Sequence, residues 1–162
     1  MNVLQKAVKR IESFPKFMQK KALSIAIGSK VKFVGTANVV FEEMTTQEVV
    51  LTLANKKKVR NHIGQIHAAA TALLAETATG MVIGMNLPDD KIPLMKTMKI
   101  DFTKRSQGWQ KAIATLPEGS KKLLEQEPKG ELLIPVTVTD EQGTEVIKAE
   151  MLWAWIPKKK RN

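Results

Sequence analysis

The chain has no cysteine and no tyrosine among its 162 residues, and aromatic residues make up only 5 %. Without cysteine there is no disulfide, no thiolate metal site and no cysteine nucleophile, and nothing points to an oxidising compartment. A cytoplasmic location is expected. No apolar run approaches about 20 residues, so no transmembrane helix is expected. The first residues, MNVLQKAVKRIESF, carry charges every few positions and make a poor signal peptide. Also missing are a glycine-rich phosphate loop, a zinc finger, an aromatic RNA-binding motif and a convincing recognition helix, so nucleic acid is not an expected partner.

What is present is ordinary globular composition, 43 % hydrophobic and 26 % charged. The length fits one domain, residues 1–162, with an N-terminal helical extension over 1–28 and a basic tail over 157–162. The net charge of +10 favours anionic partners. That charge is scattered, apart from Lys56-Lys57-Lys58-Val59-Arg60 and the tail Pro157-Lys158-Lys159-Lys160-Arg161-Asn162. The tail reads as a solvated end, although it resembles a short nuclear-import signal.

Val3, Leu4, Ala7, Val8 and Ile11 recur at helical spacing and predict a basic amphipathic helix over residues 2–12. Pro15 interrupts it, and a second helix is expected over 16–26. Both fit as padding on one edge of the domain, while contact with an anionic membrane surface is a further reading. From Val31 the pattern turns to strand residues, predicting a hairpin of 33–44 and 48–55. One long helix follows over 66–85. Further strands are expected at 94–104, 108–116, 131–140 and 145–156, with a turn at Asp140-Glu141-Gln142-Gly143 and one helical turn within EGSKKLLEQEPKG. Helices, two strands, a long helix and four strands, without βαβ alternation, define an α+β fold with an antiparallel sheet.

The long helix carries the chemistry. Ala68, Ala69, Ala70, Ala72, Ala75, Ala78 and Gly80 make it slim enough for a sheet to wrap closely around it. Glu76 sits within this apolar run. Its i±4 neighbours are Ala72 and Gly80, and its i±3 neighbours are Leu73 and Thr79, so no intrahelical cation explains it. A buried carboxylate is costly and its pKa rises toward neutrality, which suits a general base. A solvent-facing stripe or a lysine partner is the competing reading. The free amides of the first helical turn suit a developing negative charge. Asn61, just upstream, offers an amide donor and acceptor. His62 and His67 are the only histidines. With Glu76 they do not share a helical face, so no metal site is expected.

These residues resemble the motif of the hot-dog acyl-CoA thioesterases, in the branch that holds the phenylacetate-pathway type and the DUF4442 relatives. That motif runs Asn, a nearby Gly, His-Gly-Gly, then an acid on the helix. Here it reads Asn61, Gly64, His67-Ala68-Ala69 and Glu76. The resemblance implies a hot-dog fold, a long central helix wrapped by a curved antiparallel sheet, assembled as a homodimer or a tetramer. It implies that Glu76 activates water or attacks the thioester, and that the Ala68 amide polarises the carbonyl. It implies that Asn61 orients substrate or water, usually from the partner subunit, and that His67 joins the catalytic set as the His preceding the motif's Gly, in a mainly structural role. Gly64 and Ala69 would lie by the substrate. Thr97 is the nearest counterpart of a Ser or Thr found in some relatives, and Lys104 and Arg105 would meet the phosphates of coenzyme A. No cofactor is implied beyond the coenzyme A of the substrate. Met81, Met85, Met95 and Met98 are candidates to line an acyl pocket between the helix and the partner's sheet.

Two other functions fit the same scaffold. His62 and Glu76 stand at the spacing of a hydroxyacyl-thioester dehydratase, but the proline-rich loop of those enzymes is missing from residues 62–76. A non-catalytic acyl-CoA or lipid-binding module, with Glu76 vestigial, is the third reading, since Ala replaces Gly and a fold does not fix function.

Overall fold

The computed structural model describes residues 1–159, and the end of the basic tail, residues 160–162, lies outside the described residues. Three N-terminal helices come first: α1 (Val3–Glu12), α2 (Lys16–Lys30) and α3 (Lys32–Ala37). Strands β1 (Val40–Met44) and β2 (Glu48–Leu53) follow, then a 3₁₀ turn at Lys57–Val59 and the central helix α4 (Ala68–Asn86). The chain ends with β3 (Lys91–Phe102), β4 (Gln110–Thr115), α5 (Ser120–Gln126), β5 (Gly130–Leu133), β6 (Val136–Asp140) and β7 (Ile147–Pro157).

All strand pairs are antiparallel. One sheet runs β1-β2-β4-β6 and the other β3-β7-β5. The two are stitched together where β6 meets β7, by a bridge between Thr139 and Glu145 and by the bond from Val146 N–H to the Val138 carbonyl at 3.0 Å. The result is one curved surface around α4, the hot-dog arrangement. Leu74, Ala75, Ala78, Val82 and Ile83 of α4 are fully buried against it. Gly80 permits the closest approach: a Cβ there would stand 2.8 Å from the ring of Trp153. That ring is fixed by its Nε1–H, which donates to Thr79 Oγ1 at 2.9 Å. By length and composition α4 could cross a bilayer, which a search for uninterrupted apolar runs does not reveal, but the sheets that cover it make it a core helix.

The N-terminal extension is tied to α4 by a specific joint. Asn2 caps α1, accepting from Gln5 N–H at 2.8 Å, and its Nδ2 donates to the Gly84 and Leu87 carbonyls at 2.8 and 2.7 Å. One side chain therefore satisfies orphan groups at the start of one helix and at the end of another.

Two expectations need correction. Residues 33–39 are not strand: α3 occupies most of them, and the strand begins at Val40. The reason is tertiary. Gly28 and Gly35 bring α2 and α3 into backbone contact, since a Cβ on Gly35 would lie 2.6 Å from the Gly28 oxygen. Val34 and Ala37 are buried by that packing, which overrides the strand preference of the valines. Asn38 then ends α3 in the left-handed region at φ 58°. The second correction is at 131–140, where the chain divides at Ile134-Pro135 into β5, paired with β7, and β6, paired with β4. Proline has no amide for a central ladder. The turn at Asp140 forms as expected, with Gly143 at φ 78° and the Asp140 carboxylate accepting from the amides of Gln107, Gln142 and Thr144.

Candidate active site

The loop before α4 is built around Asn61. Its Oδ1 accepts from the amides of Ile63 and Gln65, both at 3.0 Å, and its own N–H donates to Gln65 O at 2.8 Å. Gly64 completes the turn at φ 78°. The Asn61 carbonyl oxygen is thus spent on the loop, while its Nδ2 has no protein acceptor among the described residues.

His67 is the N-cap of α4. Its Nδ1 accepts from Ala69 N–H at 3.0 Å, which puts the ring proton on Nε2 when the ring is neutral. Its carbonyl accepts from Ala70 and Thr71 at 2.9 and 3.0 Å. Three of the first four helical amides are therefore satisfied. The Ala68 amide has no acceptor among the described residues and stands exposed at the helix start.

A cavity of about 410 Å³ opens beside this amide. Asn61, Ala68, Lys104 and Arg105 all line it, so four of the residues singled out from the sequence come together. Behind them runs a buried polar chain. Thr71 Oγ1–H donates to Gln110 Oε1 at 2.9 Å, and Gln110 Nε2 donates to Ser106 Oγ at 2.9 Å. Gln110 is only 1 % exposed. Sequence reading missed it, although a signal was available: positions 110, 112 and 114 alternate as the inward phase of β4, and Gln110 is the polar member.

Glu76 lies elsewhere. It is half-buried, two turns further along α4, and is not part of that cavity lining. Burial pushes its pKa above the usual carboxylate value, opposed only by a long bond from the Thr77 hydroxyl at 3.5 Å. No ion pair engages it among the described residues. Eight residues separate Ala68 from Glu76, about 12 Å along a helix axis. Within one chain the residue with the free amide and the residue with the carboxylate stand two turns apart on α4.

The other singled-out residues fall outside this constellation. Gly64 shapes the turn and is absent from the cavity lining, and the Ala69 amide is used by His67. Thr97 sits exposed at the register shift of β3. Met85 is core, Met98 is exposed, and Met95 packs on the core. Met81 lines a separate, largely apolar cavity of about 460 Å³ between α1, α2 and the end of α4. No group of three or more metal-ligating side chains occurs among the described residues.

A long central helix wrapped by antiparallel sheets defines a class, the hot-dog fold. The chain belongs to the family of the domain of unknown function DUF4442, whose model matches residues 19–156. No curated protein matches it. Among solved structures it is similar to a Pseudomonas aeruginosa protein of unknown function described as a probable thioesterase, at 25 % identity and TM-score 0.76, over 83 % of this chain and 93 % of that one. It also resembles a Haemophilus influenzae thioesterase at 13 % identity and TM-score 0.71, over 88 % and 93 % of the two chains. A Staphylococcus aureus thioesterase follows at 17 % identity and TM-score 0.67, over 78 % and 99 %. The last two likenesses concern the fold.

Proposed function

We propose that the protein hydrolyses acyl-CoA or a related thioester at sites shared by two copies of the chain. The observation that carries this reading is Glu76, a half-buried carboxylate with a raised pKa and no compensating cation among the described residues. Structure alone does not require it there, since an apolar residue would pack at lower cost. In the reaction, Glu76 takes a proton from water as the water oxygen attacks the thioester carbonyl carbon. The developing oxyanion is held by the Ala68 amide, supported by the positive end of α4. The C–S bond then breaks, and the proton passes from Glu76 to the departing sulfur. Direct attack by the carboxylate, through an anhydride that water later opens, uses the same groups.

Two features support a shared site. The two proposed catalytic residues stand two turns apart on α4, about 12 Å of rise, and in this reading Asn61 and Ala68 of one copy work with Glu76 of another. In addition, β3 lies at the edge of its sheet and pairs only with β7. It is 12 residues long and exposes Leu94, Met98 and Phe102. Pro93, Lys96, Lys99 and the register shift between Met95 and Thr97 guard this edge against open-ended pairing, while its exposed apolar side chains offer contact to a second copy. Lys104 and Arg105 at the cavity mouth suit the phosphates of coenzyme A. The replacement of Gly-Gly by Ala68-Ala69 does no harm in this scheme, because both residues are helical and the donor is a backbone amide.

The test is hydrolysis of short, medium, long-chain and aryl acyl-CoA by wild type and Glu76→Gln. We expect turnover by wild type and a loss of at least about a hundredfold in the variant, the scale of removing a positioned base. A folded wild type that binds acyl-CoA without turning it over would sink the hydrolase reading and leave a binding module. Full activity in Glu76→Gln would sink the assignment of the base.

A further inference from the structure

Helix α2 has two apolar faces: one is buried, and the other meets α3 at Gly28 and is otherwise exposed. Leu23 and Ile27 are buried against the body of the protein. Phe17, Met18 and Ile25 stand on the other side. At 100° per residue they fall with Lys21 and Gly28 in one arc of about 100°, away from Leu23 and Ile27. Phe17 is 85 % exposed and Ile25 is 61 % exposed. Both border an open groove of about 480 Å³ shared with Lys20, Lys21, Gly35 and Val39. Phe33 on α3, the helix packed on α2 through Gly28 and Gly35, is 62 % exposed as well. Scattered surface apolar residues are normal, but three large ones along one face of a single helix are a patch.

The segment that carries this patch has charge of one sign, and the nearest acid, Glu42, is taken up by Lys20. From Ser13 to Phe41 the chain has Lys16, Lys20, Lys21, Lys30 and Lys32 and no acidic residue. Lys20 is paired with Glu42 at 2.5 Å, and the others extend into solvent. A second copy of the same face would offer Lys21 no acidic partner, so self-pairing gains nothing from charge. A surface with projecting phenylalanine, methionine and isoleucine among lysines is the pattern of helices that lie in a membrane interface. The lysine stems lie along the apolar layer while their ammonium groups reach the phosphates.

We propose that α2 docks the protein on an anionic lipid bilayer, with Phe17, Met18 and Ile25 entering the acyl boundary and Lys21 meeting lipid phosphate. The close Gly28–Gly35 crossing makes α2 and α3 a firm platform rather than a mobile arm. This inference does not depend on the hydrolase reading. It is tested by sedimenting the full-length protein with vesicles of phosphatidylcholine alone and of phosphatidylcholine with phosphatidylglycerol. We expect binding to the anionic vesicles, release by rising salt, and a fall in partition of about a hundredfold for F17S/I25S, the scale of exposing two buried side chains. K21E should weaken binding by about fivefold or more. The serine sites are exposed, so the double variant should melt with wild type, and K21E gives an independent reading if it does not. No sedimentation with either vesicle, equal binding to both, or unchanged binding by F17S/I25S overturns the proposal. A lower oligomer mass for F17S/I25S also overturns it, and assigns the face to contacts between copies.

Discussion

A single carboxylate sets the pH behaviour. Burial raises the Glu76 pKa in the folded chain above its value in the unfolded chain. The folded state therefore holds that proton to higher pH, and stability is lost as pH rises from the ordinary glutamate value, about 4.3, to the raised one. Glu76→Gln removes this loss. We expect the variant to be more stable than wild type at pH 8 and equal to it near pH 4, measured by urea denaturation at both pH values. The same carboxylate must be ionised to act as a base. The acid limb of the kcat/KM profile for acyl-CoA should accordingly lie above about 4.3; a limb at or below that value would remove Glu76 from the proton transfer. At this scale the sequence was readable where a residue broke a pattern. Glu76 interrupts an alanine run and Asn61 precedes a helix start. Gln110 was harder to see, because its partners Thr71 and Ser106 approach it only through the fold.

Elements were legible where one period ran without conflict. Helix α1, helix α4 and the turn at Asp140 stand close to their expected places. Helix α3 did not, because Phe33, Val34 and Thr36 favour a strand, while the packing of Gly35 on Gly28 comes only with the fold. Pro135 was visible all along, but its consequence, a change of partner from β7 to β4, depends on sheet order. Close backbone approach is the feature most open to test. Gly80→Ala adds a methyl that meets the buried, hydrogen-bonded ring of Trp153. Alanine favours a helix by about 1 kcal/mol over glycine, yet overpacking costs about 1–3 kcal/mol. We expect a net loss of about 1 kcal/mol in urea denaturation, and a smaller loss when the same change is made in a Trp153→Phe background. A stabilised Gly80→Ala would mean that the ring moves freely.

At the scale of the molecule, the question is whether one chain makes one site. Ala68→Pro deletes the proposed oxyanion donor without loss of an internal hydrogen bond, and proline suits the first helical position. Glu76→Gln and Ala68→Pro should each be inactive alone. Refolded together, they should regain about a quarter of wild-type acyl-CoA hydrolysis, because half the dimers are mixed and each mixed dimer has one intact site. A mixture that stays inactive would place both groups in one chain. The order of elements along the chain has one more consequence, in time rather than in space. Helix α4 precedes five of the seven strands, and most of its cover comes from strands made after it. During synthesis at about 5–20 residues per second, a helix apolar enough for a bilayer waits on the order of ten seconds for β7. Glu76 is near its midpoint, where a carboxylate makes membrane insertion costly by a few kcal/mol. The residue proposed to open a thioester thus also makes the newborn helix a poorer membrane span before the sheet arrives.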